Sequence, residues 1–243
     1  MTQSVTRGAE ILTRLADGPQ PITTLAEDFG VHRTTMYREL RSLEEAGLLR
    51  RDARGDYRLG VRLISLAQAA LDQIDLRDTA RPIIDALHHK VGGTVHLAAL
   101  IDNAIVYVDK REDPRGIRLY SQVGRAVIPY CTASGKAVLS RLDPLSRDKI
   151  LEDVTWKTYT PTTITSRRKL DEQLTTIAQQ GYAIDDGEFE SFVRCQAVPI
   201  IASHGVVGAV SMTSLRDVDG ADALARHRPS LTAAATRIAQ ALG

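Results

Sequence analysis

The chain has 243 residues, of which 43% are hydrophobic and 25% are charged, and its formal net charge is +1. This length accommodates one large domain or two ordinary ones, and the composition is typical of a folded protein. A nearly neutral chain excludes a general electrostatic attraction to nucleic acid, so any such contact depends on a local basic patch. No apolar run approaches the roughly 20 residues of a membrane span. The first residues contain no apolar secretion signal, and we therefore expect a cytoplasmic protein without a membrane partner.

Two cysteines, Cys131 and Cys195, lie far apart in the sequence. In a reducing compartment we expect them to be free thiols, and without CxxC spacing they do not indicate a zinc site. The acidic cluster within residues 185–190 lacks the glycine spacing or the histidines of a metal site. We therefore predict no metal and no cofactor.

The first 62 residues predict three short helices followed by a β-hairpin. The first helix ends at Gly18 and the second at Gly30, since glycine terminates helices. The third helix has one buried stripe, because apolar residues recur at i, i+4 and i+7: Met36, Leu40 and Leu43. A polar turn over residues 52–56 then separates two short segments that are typical of hairpin strands.

The opposite face of the third helix is rich in arginine, threonine and tyrosine, and residues 1–62 contain no lysine. A solvated helix face usually mixes glutamate with lysine, and simple solvation is the alternative interpretation. The order of elements is that of a winged helix-turn-helix, whose third helix enters the major groove of double-stranded DNA. The candidate DNA-binding residues are His32, Arg33, Thr34, Thr35, Tyr37, Arg38 and Arg41 on the helix and Arg54 on the hairpin.

A helical pattern continues over residues 61–77, and a further helix is predicted for 81–91. A stiff helical connector transmits geometry between domains, which a glycine-rich linker does not. We therefore predict a winged helix-turn-helix DNA-binding domain at 1–62, a helical linker at 63–78, and an effector-binding and oligomerisation domain at 79–243.

After Gly92 the pattern changes to strands mixed with helices, without the regularity of β-α-β units. This mixture predicts an α+β domain in which helices flank one central, largely antiparallel sheet. Strands are predicted at 94–101, 104–112, 117–124, 182–186, 195–201 and 206–214, and helices at 133–142, 148–154, 166–181 and 223–242.

Five segments, in this order and together covering nearly the whole chain, resemble the IclR family of bacterial transcriptional regulators. They are TLAEDFGVHRTTMYRELRSLEEAGLLRRDARGDYRLG, ARPIIDALHHKVGGTVHLA, ASGKAVL, TPTTIT and GYAIDDGEFESFVRCQAVPI. The resemblance implies a C-terminal effector domain akin to the GAF fold. It also implies a DNA operator as partner and assembly as a homodimer or a homotetramer formed by two dimers.

A helix beginning near Ser134 follows a run of small residues, and its first backbone N–H groups are suited to an anion. The resemblance implies a small organic effector, often a carboxylic acid, between the sheet and this helix start. Tyr120, Tyr130 and Phe192 would supply aromatic surface and favour an aromatic acid. The candidate effector-binding residues are Ile117, Tyr120, Ile128, Tyr130, Ala133, Ser134, Asp185, Val193, Cys195, Ser211 and Thr213.

Catalytic motifs are not apparent in the sequence. Ser134 lies neither in a GxSxG elbow nor in a GxxxxGK[ST] phosphate loop, and lone cysteines are more often packing residues than nucleophiles. We therefore predict a ligand-responsive DNA-binding transcriptional regulator and not an enzyme. Two alternatives remain open: an enzyme that acts on a small carboxylate and carries a nucleic-acid-binding domain, and a winged-helix adaptor that binds another protein.

Overall fold

The computed structural model describes residues 3–112, 119, 121–216 and 223–243. The chain forms two compact units, Met1–Gln73 and Ile74–Gly243. None of the helices in these described ranges combines the length and the hydrophobicity that a membrane crossing requires.

The first unit confirms the predicted winged helix-turn-helix. Its elements, in chain order, are α1 (Gln3–Leu15), α2 (Ile22–Asp28), α3 (Arg33–Glu45), β1 (Leu49–Arg51), β2 (Tyr57–Leu59) and α4 (Arg62–Leu71). The predicted stripe of α3 packs inward: Met36 and Leu40 are buried against Ile11 and Leu25, and Leu43 is partly buried at the edge of this core. Strands β1 and β2 pair antiparallel, with Arg51 opposite Tyr57.

The connector differs from the single helix that the sequence predicted over 61–77. Helix α4 ends at Leu71, and α5 (Asp75–Val91) begins after a short break, six residues before the predicted start. The first turn of α5 carries Asp75 and Asp78, whose charges are favourable at a helix N-terminus. Leu76 is buried in the core of the second unit, so packing as well as these charges determines where α5 begins.

The second unit contains one five-stranded sheet. Its strands are β3 (Thr94–Ile101), β4 (Ala104–Arg111), β5 (Ala183–Asp186), β6 (Val193–Ala202) and β7 (Gly205–Leu215), in the spatial order β4-β3-β7-β6-β5. Every neighbouring pair is antiparallel, which confirms the predicted α+β class. A strand was also predicted at 117–124, but residues 121–124 form no strand, and most of the remainder lies outside the described residues.

Helices cover both faces of this sheet and create two cores. Helix α5 and α9 (Ala223–Leu242) pack on one face, around Ile84, Leu97 and Leu231. The other face is covered by α6 (Ala133–Leu139) and α8 (Arg167–Gln180), with α7 (Pro144–Leu151) beside them. Small residues of the sheet, among them Ala98, Ala197 and Ala209, allow α6 to approach this second face closely.

Candidate nucleic-acid interface and ligand cavity

The outward face of α3 presents the predicted polar residues to solvent. His32, Arg33, Thr34, Tyr37, Arg38 and Arg41 are exposed, whereas Thr35 is half-buried. His32 caps the helix: its Nδ1 accepts the backbone N–H of Thr34 at 3.3 Å and lies 2.6 Å from the Thr34 hydroxyl. This cap satisfies a backbone donor that would otherwise be unpaired and so stabilises the first turn of α3.

Charges on this face are not equivalent. Within the described residues, Arg33 and Arg38 form no ion pair, whereas Arg41 pairs with Glu45 at 2.7 Å. Another acid of the same helix, Glu39, is turned away from this face and pairs with Arg7 at 2.7 Å. The face therefore keeps a positive character at Arg33 and Arg38, although the whole chain is nearly neutral.

The hairpin turn holds another predicted residue, Arg54, at its tip. The carboxylate of Asp52 accepts the backbone N–H groups of Arg54 at 2.9 Å and of Asp56 at 3.1 Å. Gly55 adopts a φ of 85°, which only glycine adopts without strain. The turn thus presents Arg54 as an exposed cation, and the neighbouring Gly55 shares a surface pocket with Arg33 and Tyr37 of α3.

Arg51 has a structural role that sequence reasoning missed. Its guanidinium lies 4.7 Å from the ring centroid of Tyr57 and 6.0 Å from that of Tyr37. Such cation–π contacts connect the hairpin to the exposed face of α3. The pairing of Arg51 with Tyr57 across the hairpin was the signal that could have revealed the first contact.

A polar row crosses four strands of the sheet in the second unit. Thr213 on β7 is the pairing partner of both Thr94 on β3 and Cys195 on β6, and Cys195 pairs with Asp185 on β5. Directly opposed residues in antiparallel strands project to the same face. Four polar side chains therefore share one row, although they come from distant parts of the chain.

A cavity of about 520 Å³ of empty space, which includes its open mouth, lies over three residues of this row, Asp185, Cys195 and Thr213. Most of the predicted effector residues that the structure describes line it: Ile128, Ala133, Ser134, Asp185, Val193, Cys195, Ser211 and Thr213. Ile117 and Tyr120 lie outside the described residues. Sequence reasoning missed further lining residues: His96, Tyr107, Leu119, Ser121, Ala126, Thr132, Phe189 and Glu190. No local pattern of the sequence reveals His96, because it pairs with Ser211 across two strands, β3 and β7, that are distant in the chain.

Tyr130 does not line the cavity, in contrast to the prediction. Its phenol donates a hydrogen bond to the backbone carbonyl of Lys157 at 2.9 Å, and its ring lies 4.9 Å from that of Trp156. Phe192 is likewise absent from the cavity and is exposed. The aromatic surface of the cavity comes instead from Tyr107 and Phe189, together with the His96 imidazole.

The start of α6 is less open to an anion than the sequence predicted. The Thr132 side chain caps the helix and accepts the backbone N–H of Gly135 at 3.2 Å. A side chain at Gly135 would bring its Cβ within 2.6 Å of Pro129, so only glycine fits there. The backbone N–H of Gly135 is therefore engaged, and the polar side chains of the cavity become the main candidates for ligand contacts.

Hydroxyl and thiol groups connect the walls of the cavity. The Ser134 hydroxyl donates to the Ser211 hydroxyl at 3.0 Å, and the Cys195 sulfur lies 3.1 Å from the Thr213 hydroxyl. Each hydroxyl carries one proton and two acceptor lone pairs, so these pairs retain capacity for a ligand.

His96 and Ser121 are hydrogen-bonded at 2.7 Å and resemble a nucleophile with its base. Burial, together with the nearby charge of Lys110, lowers the pKa of His96 to about 3. An imidazole of such low basicity does not take the Ser121 proton at neutral pH. We interpret this pair as a neutral hydrogen-bonding wall that suits binding better than catalysis.

Burial also controls the acidic groups of the cavity. The pKa of Asp185 is raised to about 7, first by burial, while the backbone N–H of Glu188 at 2.7 Å opposes the rise. Burial raises the pKa of Cys195 well above its usual range, so its thiol is neutral at pH 7. Among the described residues, no group of three or more His, Cys, Asp or Glu side chains could hold a metal ion.

Two family models match the chain. The model described as Bacterial transcriptional regulator IclR C-terminal matches residues 68–240, and the model described as IclR helix-turn-helix domain matches residues 4–53. The chain is 32% identical to the HTH-type transcriptional regulator XynR of Escherichia coli over 99% of this chain and 97% of that protein.

Solved structures share the fold. The Thermotoga maritima IclR structure superposes with a TM-score of 0.77 at 30% identity, and the match covers 100% of both chains. An IclR homolog from Microbacterium hydrocarbonoxydans, solved in complex with 4-hydroxybenzoate, has a TM-score of 0.80. Its identity is 22% over 99% of both chains, so this likeness concerns the fold alone.

Proposed function

Because the chain belongs to the IclR family of bacterial transcriptional regulators, we propose that it changes its affinity for operator DNA when a small hydroxylated organic acid binds in the second unit. The observation that carries this proposal is the cavity over the row formed by Thr213, Cys195 and Asp185. Such a protein acts in the cytoplasm, where bacterial DNA is located.

In this proposal α3 lies in the major groove, with Arg33 and Arg38 as the cations free to contact bases or phosphates. Arg54 contacts the backbone beside the groove, as a hairpin wing does. His32, Thr34, Thr35, Tyr37 and Arg41 complete the candidate interface. We assign Arg41 a smaller contribution, because Glu45 already neutralises part of its charge.

The spacing of polar groups across the cavity indicates the size of the ligand. Neighbouring strands of a sheet lie about 4.8 Å apart. The backbones of Asp185 and Thr213, which are two strands apart, are therefore separated by roughly 10 Å. A ligand with polar groups at both ends of one ring or of a short chain fits between them. We propose that its hydroxyl donates to Asp185 and that its carboxylate accepts hydrogen bonds from Ser211 and Thr213.

An aromatic ring in the middle of the ligand would contact Tyr107 and Phe189. The Microbacterium protein, which has the same fold, was crystallised with a compound of this chemical class. Aliphatic hydroxy acids have the same end groups and form the comparison class for the experiment below.

We further propose that residues 1–62 hold the DNA contacts, 63–78 connect the units, and 79–243 bind the effector and mediate assembly. One winged module buries too little DNA surface for typical operator affinity. We therefore propose that the protein binds a symmetric or repeated DNA site as a homodimer or homotetramer. Sedimentation equilibrium of the full chain, alone and with a duplex, measures the assembly.

The experiment combines two titrations of the full-length protein. Fluorescence anisotropy with the intergenic DNA next to its own gene measures operator binding, and calorimetry with 4-hydroxybenzoate and aliphatic hydroxy acids measures effector binding. Linkage requires the effector to change DNA affinity by the same factor by which DNA changes effector affinity. A bound acid that leaves operator affinity unchanged at every concentration would contradict the proposal.

The same samples test the two alternatives. An enzyme would convert the bound acid, whereas a regulator returns it unchanged, as chromatography of the incubated mixture shows. An adaptor would bind duplex DNA weakly and without the steep salt dependence that phosphate contacts produce.

A further inference from the structure

Helix α6, whose first turn lines the cavity, completely buries one lysine. Lys136 is 0% exposed, and its ammonium group donates to the Glu188 carboxylate and, at 3.0 Å, to the amide oxygen of Gln173. Lys136 itself does not line the cavity. Burying such a pair is costly, and apolar residues of similar volume often stabilise a core equally well. Packing alone therefore does not account for the pair.

Glu188 is held at several points. Its carbonyl accepts the Thr163 hydroxyl at 2.6 Å, and the carbonyl of the preceding Gly187 accepts the Thr160 hydroxyl at 2.7 Å. Its own backbone N–H donates to Asp185 at 2.7 Å. Side chain and main chain together thus determine where this N–H group points.

The residues that follow Glu188 belong to the cavity wall. Phe189 and Glu190 line it, together with Asp185. The turn over residues 187–190 therefore joins a buried ion pair on one side to the ligand cavity on the other. A displacement of Glu188 would move the wall and remove a hydrogen bond from Asp185.

Several ionisable groups surround Asp185. Those that act on it are Lys136 on α6, Glu188 in the following turn, Cys195 on β6, Tyr107 on β4 and Cys131 before α6, and His96 and Glu190 line the same cavity. Burial raises the pKa of both thiols and of the phenol, so they are neutral at pH 7. The charges of Lys136 and Glu188 act on Asp185 in opposite directions, and Asp185 adds a further buried negative charge when it is ionised.

We propose that the Lys136–Glu188 pair is a positioning device that determines ligand specificity: it aims the Glu188 N–H at Asp185, favours the ionised form of that carboxyl, and so selects a ligand with a hydrogen-bond donor there. This inference rests on the proposed function, since it concerns the same cavity. Lys136 acts through Glu188 and does not touch the ligand.

The selection has a direct chemical reason. An ionised carboxylate only accepts hydrogen bonds, so it pairs with a ligand hydroxyl and repels a ligand carboxylate. A site built to bind a hydroxyl strongly disfavours the analogue that lacks it, because its own polar group is left unpaired. Without the anchored N–H, Asp185 holds its proton more tightly, and the protonated carboxyl accepts either end of the ligand.

The test variant is the double substitution Lys136→Met with Glu188→Gln, which removes both charges and nearly conserves volume. The single Lys136→Met would leave a buried, uncompensated carboxylate and serves only to measure the stability of the pair. The matched control is Arg168→Met with Glu172→Gln, which removes an ion pair on the exposed face of α8. Thermal unfolding confirms that each protein is folded before further measurements.

Carbon-13 NMR of the Asp185 carboxyl, assigned with Asp185→Asn, follows its titration without any ligand. The charges of Lys136 and Glu188 act on the Asp185 carboxyl in opposite directions. The change in its proton affinity therefore depends on the loss of the hydrogen bond from the Glu188 N–H. We expect the proton affinity of this carboxyl to rise about tenfold or more in the double variant and to stay unchanged in the control. An unchanged titration in the double variant would overturn the proposal, because a purely structural pair would not affect this carboxyl.

Calorimetry with 4-hydroxybenzoate and benzoate supplies the second readout. We expect the wild type to prefer the hydroxylated acid by about tenfold or more, and the double variant to lose most of this preference. An equal loss of affinity for both acids would indicate a structural role and overturn the proposal. If the wild type binds neither acid, the proposed effector class fails, while the carboxyl titration still decides the role of the pair.

Discussion

The hydroxyl of Ser134, in the first turn of α6, donates a hydrogen bond of 3.0 Å to the hydroxyl of Ser211 on β7. This bond marks the place where helix and sheet meet at the floor of the cavity. Both side chains are almost completely buried, so any added volume at Ser134 must enter the space that we assign to the effector.

We expect Ser134→Trp to abolish effector binding and to leave operator affinity intact, because the candidate DNA contacts lie in the other unit. Calorimetry with the best-bound acid and anisotropy with the operator measure the two effects. Thr175→Trp, on the exposed face of α8, is the control for the bulk of tryptophan. Since a buried tryptophan risks unfolding, Ser134→Val provides a milder second variant, and undiminished effector binding in both would place the ligand elsewhere.

Arginines of α3 should differ in their effect on DNA binding. We expect Arg38→Ala to weaken operator binding by about 1–3 kcal/mol if it contacts a base. Arg41→Ala should cost less, because Arg41 already pairs with Glu45. Anisotropy with operator and random duplexes at several salt concentrations measures both, and Arg168→Ala in the second unit is the control. Equal losses of DNA affinity for Arg38→Ala and Arg41→Ala would show that the ion pair with Glu45 does not reduce the contribution of Arg41 to DNA binding.

Stability should depend on pH through Asp185. Its pKa is raised from 3.8 to about 7, so the folded chain binds this proton more tightly than the unfolded chain. Wild-type stability contributed by this group is therefore present at low pH and is lost as pH rises from about 4 to about 7. Asp185→Asn cannot ionise, and its gain in unfolding free energy relative to wild type should grow across this range and then level off.

Urea denaturation at several pH values measures that difference. His96, whose pKa is lowered to about 3, contributes a pH dependence of opposite sign in both proteins and cancels in the comparison. Asp17→Asn, at an exposed position, is the control. A flat difference for Asp185→Asn would mean that the carboxylate is better solvated than its burial indicates.

The break before α5 leads to a prediction about fragments. A fragment of residues 79–243 lacks Leu76, which is buried in the core of the second unit. We expect a fragment of residues 74–243 to be more stable by about 1.5–3 kcal/mol, the value of burying one such side chain. Urea denaturation of both fragments provides the comparison. Equal stability would show that the first turn of α5 does not contribute to folding of this unit.

Much of the molecule could be predicted from local pattern. The stripe of Met36 and Leu40 predicted that the arginines of α3 face outward. The mixture of strand-like and helical segments after Gly92 predicted the antiparallel sheet. Helix and strand periodicity is a property of neighbouring residues, so it can be read from the sequence. The family resemblance added the candidate residues of the cavity, and the structure brings most of those that it describes together.

Only the tertiary structure decided which of these residues meet and in which charge state. The row of Thr213, Cys195 and Asp185 depends on the register of three strands. The Tyr130 phenol lies outside the cavity because it donates a hydrogen bond to the backbone of Lys157, 27 residues away in the chain. The burial of Lys136 beside Glu188 depends on the packing of α6. Register and packing arise from contacts between distant residues, whereas sequence periodicity reports only on near neighbours, and pKa values follow the burial that those distant contacts create.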